Sequence, residues 1–81
     1  MDAEQIRRLI QTALPEAQVE VHGEDGVHFE ALVVSAAFAG QRPLQRHRQV
    51  YAALGDLMGG AIHALALRTL TPDEAADQAP R

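Results

Sequence analysis

The chain has no cysteine, no lysine and no tryptophan, and a single serine among its 81 residues. Without cysteine it can build neither a disulfide framework nor a thiolate metal site of its own, so any soft-metal chemistry must borrow sulfur from another molecule. Without lysine there is no phosphate-cradling loop of the lysine type. Ser35 has no paired acid and base in view, so the chain reads as a non-enzyme. Aromatic residues make up 4% of the sequence, which leaves no exposed platform on which bases would stack. No run of about 18 apolar residues occurs, and the opening "MDAEQIRRLI" has no unbroken apolar stretch behind a basic start. A soluble, cytoplasmic protein with no membrane partner is expected. Acidic residues outnumber Lys and Arg 11 to 7, for a formal net charge of -4, so the domain as a whole repels phosphate backbones. Nucleic acid would require a local basic patch.

What is present is enough for one small domain spanning residues 1–81, since 81 residues at 47% hydrophobic content cannot fill two cores. In "DAEQIRRLIQTAL", Ile6, Leu9, Ile10, Ala13 and Leu14 recur at helical spacing, with Asp2 as N-cap, Gln5 three residues later and Pro15 at the end. "AQVEV" alternates with period two, "VHFEALVVS" is rich in β-branched residues, and "HGEDG" lies between them, which predicts a hairpin. A loop of odd length puts Val19 and Val21 on one face with Val27, Phe29, Ala31 and Val33. The other face then carries Glu20, His22, His28 and Glu30.

"SAAFAGQRP" predicts a connecting turn anchored by Phe38. The stripe of Leu44, His47, Val50, Tyr51, Leu54, Leu57 and Met58 predicts an amphipathic helix over 44–58, stopped by Gly59 and Gly60. "AIHALALRTL" reads as a third strand. Thr71, Pro72 and Glu74 predict a capped short helix, with residues 76–81 as a frayed tail. If the second and third strands run parallel with the helix as crossover, both begin at one end of the sheet, and His22, His28 and His63 gather there. Neighbouring strands lie roughly 5 Å apart, close enough for two strand starts to share one ion or cluster.

His63 admits two readings, a half-buried histidine bonded to a carbonyl and a metal ligand. His22 and His28 are ordinary residues for an open hairpin face, and acquire weight as ligands only together with His63. Zinc prefers a closed set of ligands, and only Glu24 and Asp25 stand near this group as carboxylates, so no private zinc site is expected. Arg42, Arg46 and Arg48 form a basic cluster at the start of the second helix, where backbone amides also favour anions.

"LQRHRQVYAAL", then "IHALALRTLTPDE", with "HFEALVVSAAFAG" upstream, resemble the BolA family over nearly the whole chain, from the first helix to Glu74. The "RHR", the turn at Phe38 and Gly40, the "HAL" strand and the "TP" cap stand in the family's order. The resemblance implies an α+β fold of the order α-β-β-α-β-α, similar to a class II KH domain, with a three-stranded mixed sheet covered by helices on one face. It also implies a trafficking adaptor that pairs with a CGFS monothiol glutaredoxin and shares a 2Fe-2S cluster, with thiolates from the glutaredoxin and glutathione. This chain's side of such a cluster would be His63, matching the histidine of "HAL", and a hairpin residue, His22 ahead of His28. Iron-sulfur client proteins would be further partners. Imidazole in place of thiolate makes such a centre less negative and raises its potential.

Where many relatives carry tryptophan in the last helix, this chain has Ala75, and its short tail and compact hairpin resemble the branch of small acid-stress-related bacterial members. The family's other implied role is a DNA-binding regulator of stress response and cell morphology, for which Arg42, Arg46, Arg48 and Arg68 are the candidate contacts. A literal GxxG is present as "GEDG", residues 23–26, but its two acids repel the phosphates such a loop would clamp.

Overall fold

Asp2 starts the first helix by exchanging hydrogen bonds with Gln5. Its carboxylate accepts the Gln5 N–H at 2.9 Å and its own N–H donates to the Gln5 side chain at 2.9 Å. The structure, a computed structural model, describes residues 1–62 and 64–78. Within them run α1 (Ala3–Ala13), β1 (Gln18–His22), β2 (His28–Val34), α2 (Pro43–Leu54), β3 (Ala64–Leu70) and α3 (Pro72–Gln78), with single 3-10 turns at Ala36–Phe38 and Gly55–Leu57.

The strands form one mixed sheet in the order β1-β2-β3, as expected of this α+β fold. β1 pairs antiparallel with β2, Val19 opposite Val33 and His22 opposite Glu30. β2 pairs parallel with β3, His28 beside Ala64 and Val34 beside Leu70. The loop between β1 and β2 spans residues 23–27, an odd number, and the strands have the expected faces. Phe29, Ala31 and Val33 are buried with Ile6 and Ile10 of α1, Val50 and Leu54 of α2, Phe38 and Ile62. Each of the larger of these side chains contributes roughly 1.5–3 kcal/mol through removal from water. α1 and α2 cover this face, and the opposite face of the sheet is open.

Three expectations need correction. The second helix does not run to Met58: it ends at Leu54, because Gly55 adopts φ 56 with its N–H on the Tyr51 carbonyl, and Leu57 and Met58 pack on the core from outside the helix. The buried face of α2 is Arg46, Val50 and Leu54, whereas Leu44 is 62% and Tyr51 38% exposed. Val50 and Leu54 of the expected stripe are buried, but Arg46 is buried where Leu44 and Tyr51 were expected, because a pattern of apolar residues excludes an arginine from the interior by construction. The third strand begins at Ala64, Ile62 making an isolated bridge to Met58. At the other end α3 continues to Gln78. No helix among the described residues is long and apolar enough to cross a membrane.

Candidate functional site

The hairpin end of the open sheet face holds two of the residues singled out from the sequence, His22 and His28. His22 closes β1 and His28 opens β2, both exposed and both on the open face by the alternation of the strands. Ala64, the first residue of β3, lies beside His28. His63, which directly precedes it in the chain, lies outside the described residues. His22, Asp25, His28, Glu30, Ala64 and Ala66 border an open concavity of about 600 Å³. A smaller one of about 300 Å³ continues along the face past Glu20, Leu32 and Arg68.

The loop that carries Asp25 is folded tightly over the end of the core. A Cβ on Gly23 would stand 2.3 Å from the Phe29 ring and 2.8 Å from the His28 carbonyl oxygen, so only glycine allows this approach. Asp25 then turns its carboxylate back on the start of β2. One oxygen accepts the backbone N–H groups of Val27 and His28 at 2.9 and 2.8 Å, and the other lies 2.6 Å from His28 Nδ1. The backbone N–H of His28, then that of Val27, then the imidazole hold the Asp25 carboxyl well below its usual range, so it is ionised at neutral pH. An ionised carboxylate has no proton to give, so His28 Nδ1 carries the hydrogen and, in the neutral ring, Nε2 keeps its lone pair. His22 makes no side-chain hydrogen bond among the described residues. No three His, Asp or Glu side chains among those residues form a group able to hold a metal ion.

The arginines divide differently from the sequence cluster. Arg46 is buried, its Nε donating to the Gln41 carbonyl at 2.9 Å and its Nη1 to the Thr69 carbonyl at 3.2 Å and to Glu74 at 2.6 Å. Its guanidinium also lies 5.8 Å from the centroid of the Phe38 ring. Arg46 therefore joins the turn after β2, α2, β3 and α3, and its charge is spent inside the molecule. Arg42 and Arg48 are exposed, and neither makes an ion pair among the described residues. Arg68, on the open face, donates to the side chain of Gln78. His47 packs edge-on against Tyr51, with ring centroids 6.4 Å apart.

With this geometry in hand, comparison places the chain among known proteins. A family model described as BolA-like protein matches residues 11–74. The chain belongs to the BolA family. A solved BolA homologue from Coxiella burnetii superposes with a TM-score of 0.82 at 48% identity, covering 94% of this chain and 97% of that one. The solution structure of the XC975 protein is 73% identical, covers 91% of this chain and 92% of its own, and has a TM-score of 0.64. Human BolA-like protein 1 is 42% identical over 76 residues, 83% of this chain and 56% of that protein. The protein of Escherichia coli K12 named DNA-binding transcriptional regulator BolA is 45% identical over 47 residues, 58% of this chain and 45% of that protein. The BolA chain described here spans about half the length of the first curated relatives it matches.

Two features of this BolA chain escaped the reading of its sequence. Asp25 stood only as one of two turn carboxylates, although an acid three residues before a strand-opening histidine is the spacing of a local side-chain clamp. Arg46 stood as a surface cation. Its partner Glu74 was legible only as a helix cap, which it also is: it accepts the Thr71 N–H at 2.9 Å while Thr71 Oγ accepts the Glu74 N–H at 3.2 Å.

Proposed function

We propose that this chain is an iron-sulfur trafficking adaptor that pairs with a CGFS monothiol glutaredoxin and shares a 2Fe-2S cluster as cargo, through His63 and a hairpin histidine. The observation that carries the reading is His28, whose exposed ring is tied at Nδ1 and whose Nε2 makes no hydrogen bond among the described residues, beside the strand that follows His63. A ring held by one nitrogen and open at the other is the form in which imidazole binds a metal. This favours His28 over His22 as the hairpin ligand, reversing the order taken from the sequence. The chain has no thiolate, so glutaredoxin and glutathione supply the sulfur ligands and the cluster sits between the partners. A carrier unable to hold its cargo alone releases it when the pair separates, which suits transfer to client proteins.

The test is anaerobic reconstitution of a 2Fe-2S cluster on a CGFS glutaredoxin with glutathione, followed by visible circular dichroism as the protein or its variants are added. Wild type is expected to change the spectrum at one-to-one stoichiometry, and His63→Ala to leave it as it was while remaining folded. His28→Ala is expected to lose more of the change than His22→Ala. An unaltered spectrum with wild type would end this reading.

A second reading, DNA binding, draws on Arg42 and Arg48, exposed and without an ion pair among the described residues, and on the name of the Escherichia coli relative. Arg46, buried on Glu74, drops out of the contact set proposed from the sequence. Arg68 is also exposed and bonds only to the neutral Gln78 side chain among the described residues, but three such cations on a chain of net charge -4 neutralise few phosphates, so binding would be weak and the salt slope shallow. A mobility-shift titration of Arg42→Glu/Arg48→Glu against wild type decides it.

A further inference from the structure

The geometry points to Asp25 as the positioning residue of the adaptor site: its carboxylate holds His28 in the Nδ1–H form and so presents Nε2 as the nitrogen that binds the cluster iron. The inference rests on the adaptor reading and adds a residue and a mechanism to it.

Three contacts converge on this one carboxylate. The two backbone donors, at 2.9 and 2.8 Å, fix one oxygen and with it the plane of the group. The remaining oxygen then has a set direction, and His28 Nδ1 lies along it at 2.6 Å, the short end of the range for charge-assisted hydrogen bonds. A neutral imidazole in water exchanges between two forms, and in one of them Nε2 carries a proton and cannot bind iron. The carboxylate removes that form without any protonation step. It also limits ring rotation, so that less freedom is lost when the second nitrogen is engaged.

The same contacts permit a plainer reading, in which Asp25 only closes the loop. The surroundings of the pair argue against that as its whole role. The side chains are 66% and 53% exposed, and a polar pair so open to solvent adds little to stability. The loop has other means of closure, in the approach of Gly23 to Phe29 and the positive φ of Gly26. The Oδ2 contact to the ring is the part that loop closure does not require.

Asp25→Asn separates the two roles. The amide oxygen still accepts from Val27 and His28, so the loop keeps its closure. The amide nitrogen now takes the place of Oδ2 and donates toward Nδ1, which drives the ring to the Nε2–H form. Nitrogen-15 NMR of the imidazole in the free protein reads this directly: wild type is expected as Nδ1–H at His28, and Asp25→Asn as Nε2–H, with the same urea midpoint. In the reconstituted glutaredoxin complex, cluster-dependent affinity is expected to fall roughly 10- to 100-fold in Asp25→Asn, as for other groups that orient metal-binding histidines. An Nε2–H ring in wild type would overturn the inference. So would a wild-type spectrum and affinity in Asp25→Asn or His28→Ala when the wild-type protein itself responds, and in that case the adaptor reading would survive with another ligand. No response from wild type would remove the adaptor reading and this inference together.

Discussion

Two side-chain pairs in this molecule close to the same distance, 2.6 Å, and they do opposite work. Arg46 and Glu74 meet where the arginine side chain is 9% and the glutamate 44% exposed, and the guanidinium is surrounded by the Thr69 and Gln41 carbonyls and the Phe38 ring. Asp25 and His28 meet at the rim of an open concavity, both more than half exposed. The first joins four segments that are distant in the sequence. The second joins residues three apart and leaves one ring nitrogen without a hydrogen bond among the described residues. Distance alone does not distinguish them; the medium does, because water weakens the charge term of the exposed pair and a buried cation has no substitute for its partners. One end of the sheet is thus built to stay closed, the other to present a side chain.

The closed end should break first. Phe38→Ala removes a fully buried ring from beneath the Arg46 guanidinium and is expected to cost about 3–5 kcal/mol in urea unfolding, a large share of the stability of a domain this size. Arg46→Ala should cost about 2–3 kcal/mol, because the Thr69 and Gln41 carbonyls lose their donor. Arg46→Lys should recover only part of that, since one ammonium cannot replace the guanidinium fork. Hydrogen exchange on the last helix should rise in both variants.

Acid should act through the same pair. The Arg46 guanidinium, helped by the Thr71 N–H, holds the Glu74 carboxyl below its usual 4.5. The depressed pKa favours the folded state above about 4.5, the unfolded value, and that contribution is lost as pH falls through the lower folded value. Urea midpoints measured from pH 7 downward should therefore fall below pH 4.5, and fall less steeply in Arg46→Ala.

The outer side of α2 should tolerate charge changes. Arg42→Glu/Arg48→Glu alters two exposed residues without ion pairs among the described residues, so stability is expected to stay within about 0.5 kcal/mol of wild type. A larger loss would show that the closed end extends to the outer side of α2.

Much of the architecture was legible because it is written in local alternation. Val19, Val21, Phe29, Ala31 and Val33 share a face by period two alone, and the odd loop length follows from that. Asp2 with Gln5 and Thr71 with Glu74 announce helix starts through contacts only three residues apart. The end of α2 was not legible in the same way, since Leu57 and Met58 continue a helical stripe that Gly55 interrupts with its backbone. Leu44 and Tyr51 were placed inside and Arg46 outside because a hydrophobic pattern cannot reward a buried cation. Of the candidate site, the histidines at the sheet end could be named from strand order, but the Asp25 clamp needed the path of the loop.

By itself the sequence determined the element order, the two faces of the hairpin and the absence of any thiolate, because each depends on residue type and on neighbours a few positions away. Only the tertiary structure decided which of several chemically equal charges lies inside. Arg42, Arg46 and Arg48 have the same side chain, and what separates them is that Glu74, 28 residues further on, and the Thr69 carbonyl close around one of them. Burial is a property of long-range contacts, so the same guanidinium becomes part of the core at one position and an exposed surface cation at the others.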